Sequence, residues 1–103
     1  MSKLKEPVLY LNGRGYTAKT LRVRDWYDFM AFEDKREDIP LADYFNKMAG
    51  IIASLFIGVT ADDILDKMAL EDIKPFYQEC YRWVLMTVNS KLGQLPNGET
   101  GKE

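Results

Sequence analysis

The sequence predicts an α+β fold, mostly α, with an N-terminal β-hairpin followed by about four helices in a small bundle. Two short β-prone runs flank Asn12-Gly13-Arg14-Gly15, a turn rich in residues that tolerate positive φ. From Val23 onward the apolar residues recur at three- and four-residue spacing, the period of a helix face. Pro40, Thr60, Pro75 and Gly93 then divide that region into four helical segments, each with its own start or stop chemistry.

The hairpin is expected over residues 8–21, with Val8–Leu11 and Tyr16–Leu21 as its arms. A two-stranded hairpin is barely stable alone, so it must lie on helices or pair with a strand from another chain. The first helix is expected over about 23–37, where Val23, Trp26, Tyr27 and Met30 fall at i, i+3, i+4 and i+7, so these four should form its core face. Pro40 suits the first turn of a second helix over about 40–57, because a missing N–H is harmless there. In that helix Leu41, Tyr44, Phe45, Met48, Ile52, Leu55 and Phe56 form one apolar stripe opposite Asp43, Asn46 and Lys47, and Gly58 is its C-terminal cap. Thr60, with Asp63 three residues on, is close to a capping box and opens a short helix over 61–68. Leu70–Lys74 is expected to be a turn, with Pro75 in the first turn of a last helix over about 75–92 that places Phe76, Tyr77, Cys80, Val84 and Val88 on one face. Gly93 should stop it. Residues 94–103 hold Pro96, Gly98 and Gly101 with Leu95 as the one apolar residue, too little to offset their ordering entropy, so a flexible tail is expected after a single domain over 1–93.

The 103 residues suit one core rather than two, and a 47% apolar fraction with 13% aromatics is enough to fill it. There is no histidine, which removes imidazole bases, shuttles and metal ligands. Cys80 is the single cysteine, so no intramolecular disulfide or thiolate cluster can form, and a reducing compartment fits. No signal-peptide core follows the N-terminal lysines, and the longest apolar stretch, Met48–Val59, is interrupted by Gly50, Ser54 and Gly58, whereas a spanning helix needs about twenty residues. Neither secretion nor a membrane span is expected. The net charge of -2 conceals an asymmetry: residues 1–24 carry +5 and residues 25–103 carry -7. Nucleic-acid binding wants a concentrated basic face, which most of this chain would oppose.

No residue pattern supplies an active site, and the chain is expected not to be an enzyme. Asp62, Asp63 and Asp66 lack the glycine and closing glutamate of a calcium loop; acids in a first helical turn ordinarily complement the helix dipole. Gly13-Arg14-Gly15 lacks the third glycine and the following helix of a phosphate loop, so it is a turn. Cys80 shares a helix face with Phe76, Tyr77 and Val84, the setting of an inert core thiol. Asp25, Asp28, Glu33 and Asp34 lie along one helix rather than facing one another across a cleft, as paired-carboxylate chemistry requires. No catalytic, metal or cofactor residue is assigned.

What remains are apolar residues outside their own helix's expected core stripe. Phe29 and Phe32 lie roughly 100° and 160° from the Val23 face on a helical wheel; Trp83 and Met86 lie at or beyond the edge of the last helix's apolar arc. Exposed large hydrophobics mark partner sites, and Trp and Met are favoured in them. Phe29, Phe32, Trp83 and Met86 are therefore the candidate partner or self-association surface. The alternative is that several helices surround these two and bury both faces within one chain.

The series Val23-Arg24-Asp25-Trp26, Phe32-Glu33, Gly58-Val59-Thr60 before an acidic helix, Leu70-Glu71-Asp72, Trp83-Val84 and Lys91-Leu92 resembles the tail assembly chaperones of long-tailed phages and prophages of Gram-positive bacteria. The resemblance covers about residues 8–95. It implies a non-enzymatic protein, without cofactor, that binds the tape measure protein during tail morphogenesis, keeps it soluble, helps recruit major tail protein, and is missing from the finished virion. It also implies a longer, frameshifted form of the same chain, for which the segment from Gln94 would be a suitable junction. The host cytoplasm is the expected location. The residues agree in kind, since a chaperone for a long helical client needs apolar faces and no reactive groups. The +5 and -7 segments favour a homo-oligomer stacked head to tail. Two other readings compete: a phage or prophage structural protein, such as a head-tail connector or tail completion component, and a small nucleic-acid-binding regulator using Arg14, Lys19, Arg22 and Arg24.

Overall fold

The structure, a computed structural model, describes residues 6–91. It contains a two-stranded antiparallel hairpin followed by four α-helices, the α+β, mainly α, class that the sequence predicts. The expected Gly93 stop and the 94–103 tail lie outside the described residues.

Strands β1 (Leu9–Leu11) and β2 (Arg14–Tyr16) pair in the register Leu9 with Tyr16, Tyr10 with Gly15 and Leu11 with Arg14. Asn12 (φ 52°) and Gly13 (φ 81°) form the two-residue connection, positive φ at both positions matching the twist of the flanking strands. Leu9, Leu11 and Tyr16 point into the core while Tyr10 and Gly15 face out. A Cβ at Gly15 would stand 3.2 Å from the Tyr10 ring, so the bare glycine gives that ring its seat.

The second arm stops at Tyr16, not at Leu21 as expected. In the observed register Ala18 would face Pro7, which has no N–H to offer a ladder. The chain turns instead to the segment after the second helix: the Ile57 N–H donates to the Thr17 carbonyl at 3.0 Å and the Lys19 N–H to the Leu55 carbonyl at 2.9 Å, with Ala18 bridged to Phe56. This pairing ties the hairpin into the helical part.

Helix α1 spans Val23–Lys35 and ends in a 3₁₀ turn, Arg36–Asp38. The buried Asp25 carboxylate accepts the Arg22 N–H at 2.8 Å, occupying a backbone donor at the helix entrance. The buried stripe is Asp25, Phe29 and Phe32, which lies about 140° around the helix from the expected one. Phe29 meets Tyr77 and Tyr81 of the last helix at ring-centroid distances of 5.2 and 5.6 Å. Phe32 lies 5.4 Å from Tyr77 and 5.5 Å from Tyr44.

Helix α2 (Leu41–Ser54) starts on Pro40, whose carbonyl accepts the Asp43 and Tyr44 N–H groups at 2.9 and 3.1 Å. Met48, Ala49 and Ile52 are buried along it, followed by Leu55 and Phe56. Leu41, placed by the pattern at the head of this stripe, is 84% exposed, since it stands at the first helical position with no turn before it to pack against. The helix ends three residues short of the expected 57 because residues 55–57 are engaged with 17–19. Gly58 (φ 82°) serves the turn beyond, not the helix end itself.

Helix α3 (Ala61–Lys67) has the expected capping box: the Asp63 N–H donates to Thr60 Oγ1 at 3.1 Å and the Thr60 N–H to Asp63 Oδ2 at 3.0 Å. Helix α4 starts at Leu70, not at 75, and runs to Lys91. The Asp72 N–H donates to the Ala69 carbonyl at 2.9 Å, and Pro75 falls in the second turn. The carbonyl left without a donor by that proline belongs to exposed Glu71, where water can serve it.

Candidate interaction surface

The structure separates the four residues expected at a partner surface. Phe29 is fully buried, Phe32 and Trp83 are nearly so, and Met86 alone, at 46% exposure, is free. Three of the four are thus corrected to core residues. The alternative, that both faces are buried within one chain, is met only in part: the Phe29–Phe32 face of α1 and Trp83 of α4 are enclosed, while the Val23–Tyr27 face and Met86 stay exposed. The reason lies in α1: its aromatic stripe takes the core, and Val23 and Tyr27, expected inside, are left 83% and 54% exposed.

Helices α1 and α4 run antiparallel, since Phe29 reaches Tyr81 while the later residues Phe32 and Glu33 meet the earlier Tyr77. That direction places the Val23–Tyr27 end of α1 level with the Met86 end of α4. Tyr27 carries the Arg24 guanidinium over its ring at 5.3 Å, and Arg22 and Arg24 are exposed beside Val23. This end therefore combines apolar side chains with cations. Arg14 lies over the Tyr16 ring at 5.0 Å, and Lys19 is half-buried beside the bridge to α2. Among the described residues the ion pairs are Glu33–Arg36 and Asp63–Lys67, each at 3.4 Å; none of the four cations between Arg14 and Arg24 is in them.

The titratable groups that depart from their ordinary values have structural explanations. Burial, followed by the Glu33 carboxylate that accepts its O–H at 2.8 Å, pushes the Tyr77 phenol above the usual tyrosine range. Burial pushes the Cys80 thiol up as well, with Glu79 adding to it, which removes the thiolate a nucleophile would need. The Thr60 backbone hydrogen bond holds Asp63 below the usual carboxylate value. Asp63 is committed to Thr60 and Lys67, and Asp62 and Asp66 are exposed. Among the described residues no three His, Cys, Asp or Glu side chains are grouped to hold a metal ion, and no helix is long and apolar enough to cross a membrane.

Sequence reasoning missed Val23 and Tyr27 because two stripes on α1 share helical spacing. Asp25 distinguishes them: an acid three residues past an extended Arg22 is at the position that can take an N-terminal backbone N–H, and the side bearing Asp25, Phe29 and Phe32 turns inward with it. Comparison with family models, curated proteins and solved structures finds no match to this chain.

Proposed function

We propose that this protein is a tail assembly chaperone of a long-tailed phage or prophage. In this reading it acts in the bacterial host cytoplasm, binds the tape measure protein, helps recruit major tail protein, and leaves before the virion is complete. A frameshifted longer form and self-association belong to the same reading. The observation that carries it is the ordered series from Val23-Arg24-Asp25-Trp26 to Lys91-Leu92. Several of its members have definite tasks in the fold: Asp25 caps α1, Gly58 takes positive φ, Thr60 caps α3, Glu71 and Asp72 occupy the first turn of α4, and Trp83 is core. The series thus marks a way of building the domain, and the client surface must be sought among residues the domain leaves free.

Val23, Tyr27 and Met86 are that surface in our proposal, replacing Phe29, Phe32 and Trp83. They are exposed large side chains carried on two helices braced by the aromatic cluster, so each could meet an apolar side chain of a client without the chaperone rearranging. The test is to co-express the chain with a tape measure protein, sought among the genes beside its own, and to analyse purified virions by mass spectrometry. Copurification with the client, and absence from virions, is the expected result. Presence in virions without client binding would move the assignment to a connector or tail completion component.

A further inference from the structure

Away from the Val23–Tyr27 end, a groove of about 460 Å³ separates the hairpin from the first half of α4. One wall is the outward face of the hairpin, Val8 and Tyr10, both exposed. The other is a single stripe of α4, Asp72, Pro75, Phe76 and Glu79, whose spacing puts all four on one side of the helix. Phe76 is held in place by Phe56, 5.7 Å away between ring centroids, and the Tyr10 ring lies over Gly15. Phe76 is therefore braced before anything enters, and Tyr10 stands exposed above the hairpin opposite it.

Among the described residues the unpaired charge on this groove is acidic. Asp72 and Glu79 are exposed and in neither ion pair of the described residues, while Lys67, the one cation among the described residues of the lining, is already paired with Asp63. A groove with aromatic walls and two free carboxylates on its rim attracts cations and repels phosphate backbones. Its volume falls at the smaller end of the range for sites that enclose a compact ligand, about 300–1,000 Å³, which suits one or two large side chains.

From this geometry we infer that the groove docks a short segment of another polypeptide, with one or two large apolar side chains flanked by lysine or arginine. The apolar side chain lies between Tyr10 and Phe76, and the flanking cations meet Asp72 and Glu79. The site is distinct from the Val23, Tyr27 and Met86 surface and stands whether or not the client is a tail protein.

The test uses fluorescence anisotropy with a labelled peptide, Lys-Leu-Lys-Lys-Leu-Phe-Lys-Lys, and a counterpart with glutamate at every lysine. The full chain should prefer the basic peptide by at least about tenfold, as charge complementarity across a rim requires. Asp72→Lys/Glu79→Lys, both at exposed positions, should keep the helical circular dichroism spectrum, with a melt lowered only by the loss of the Asp72 charge from the first turn of α4, and reverse the preference. Tyr10→Ser should weaken the basic peptide about threefold or more without reversing it. Equal binding of the two peptides, or a preference unchanged by the double charge reversal, overturns the inference. So does a wild-type chain that excludes the peptide while Asp72→Lys/Glu79→Lys dissociates a self-assembled species, since the groove would then be filled by a second copy.

Discussion

Phe29 and Tyr27 stand two residues apart on α1 with opposite surroundings, one enclosed by Tyr77 and Tyr81 and the other open to solvent. Phe29→Ala should cost about 3–5 kcal/mol, the range for emptying a buried aromatic site. Tyr27→Ala should stay within about 0.5 kcal/mol; urea unfolding of the two variants checks both. Tyr77 and Cys80 make the fold sensitive to alkali. Each has a folded-state value raised above its unfolded one, so the native state prefers the protonated form. The stability they protect is complete below the unfolded values, roughly 8.5 for a thiol and 10 for a phenol, and declines as pH rises past each. Urea midpoints should begin to fall near pH 9 and fall faster above 10, with Cys80→Ala removing the first part and Tyr77→Phe reducing the second. Cys80 itself should resist a thiol reagent in the native protein and react promptly in denaturant.

At the scale of elements, chain breaks were legible wherever one residue has one local task. The hairpin's turn was located at residues 12–15, and the structure narrows it to Asn12-Gly13 and gives Arg14 and Gly15 to β2; Thr60 with Asp63 specified the start of α3. Thr60→Ala should therefore lower stability by about 1 kcal/mol. Because the capped Asp63 carboxylate titrates below its usual value, the help it gives α3 is present above the unfolded value near 4 and is lost as pH falls through the lower folded one. An acid titration followed by urea unfolding should lose that part of its slope in Asp63→Asn. What the sequence did not disclose depends on partners distant along the chain. The second arm leaves β1 because Pro7 cannot continue the ladder and Leu55–Ile57 can, and that same pairing ends α2 early. The inward face of α1 was misread because spacing identifies a stripe without saying which stripe finds Tyr77 and Tyr81. So the helices and hairpin were visible in the sequence, whereas three of the four proposed surface residues belonged to the core.

At the scale of the whole molecule, the aromatic cluster holds α1, α2 and α4 together and the bridge from 17–19 to 55–57 holds the hairpin to them. In the proposed reading, the apolar residues this frame leaves outside are what a client would meet. The +5 and -7 segments add a second expectation: if opposite charges align the copies, the sedimentation-derived assembly size should shrink between low and physiological salt, since exposed charges beyond about 8 Å are screened at 0.15 M. The measurement that bears most directly on the central proposal is co-expression of a phage tape measure protein, the client proposed above, with wild type and with Val23→Asp/Tyr27→Asp/Met86→Asp, a variant whose melting profile should match the parent. Wild type should hold the long client soluble and copurify with it, and the folded variant should do neither. A variant as effective as wild type, or a wild type that leaves the client insoluble, would contradict the proposal.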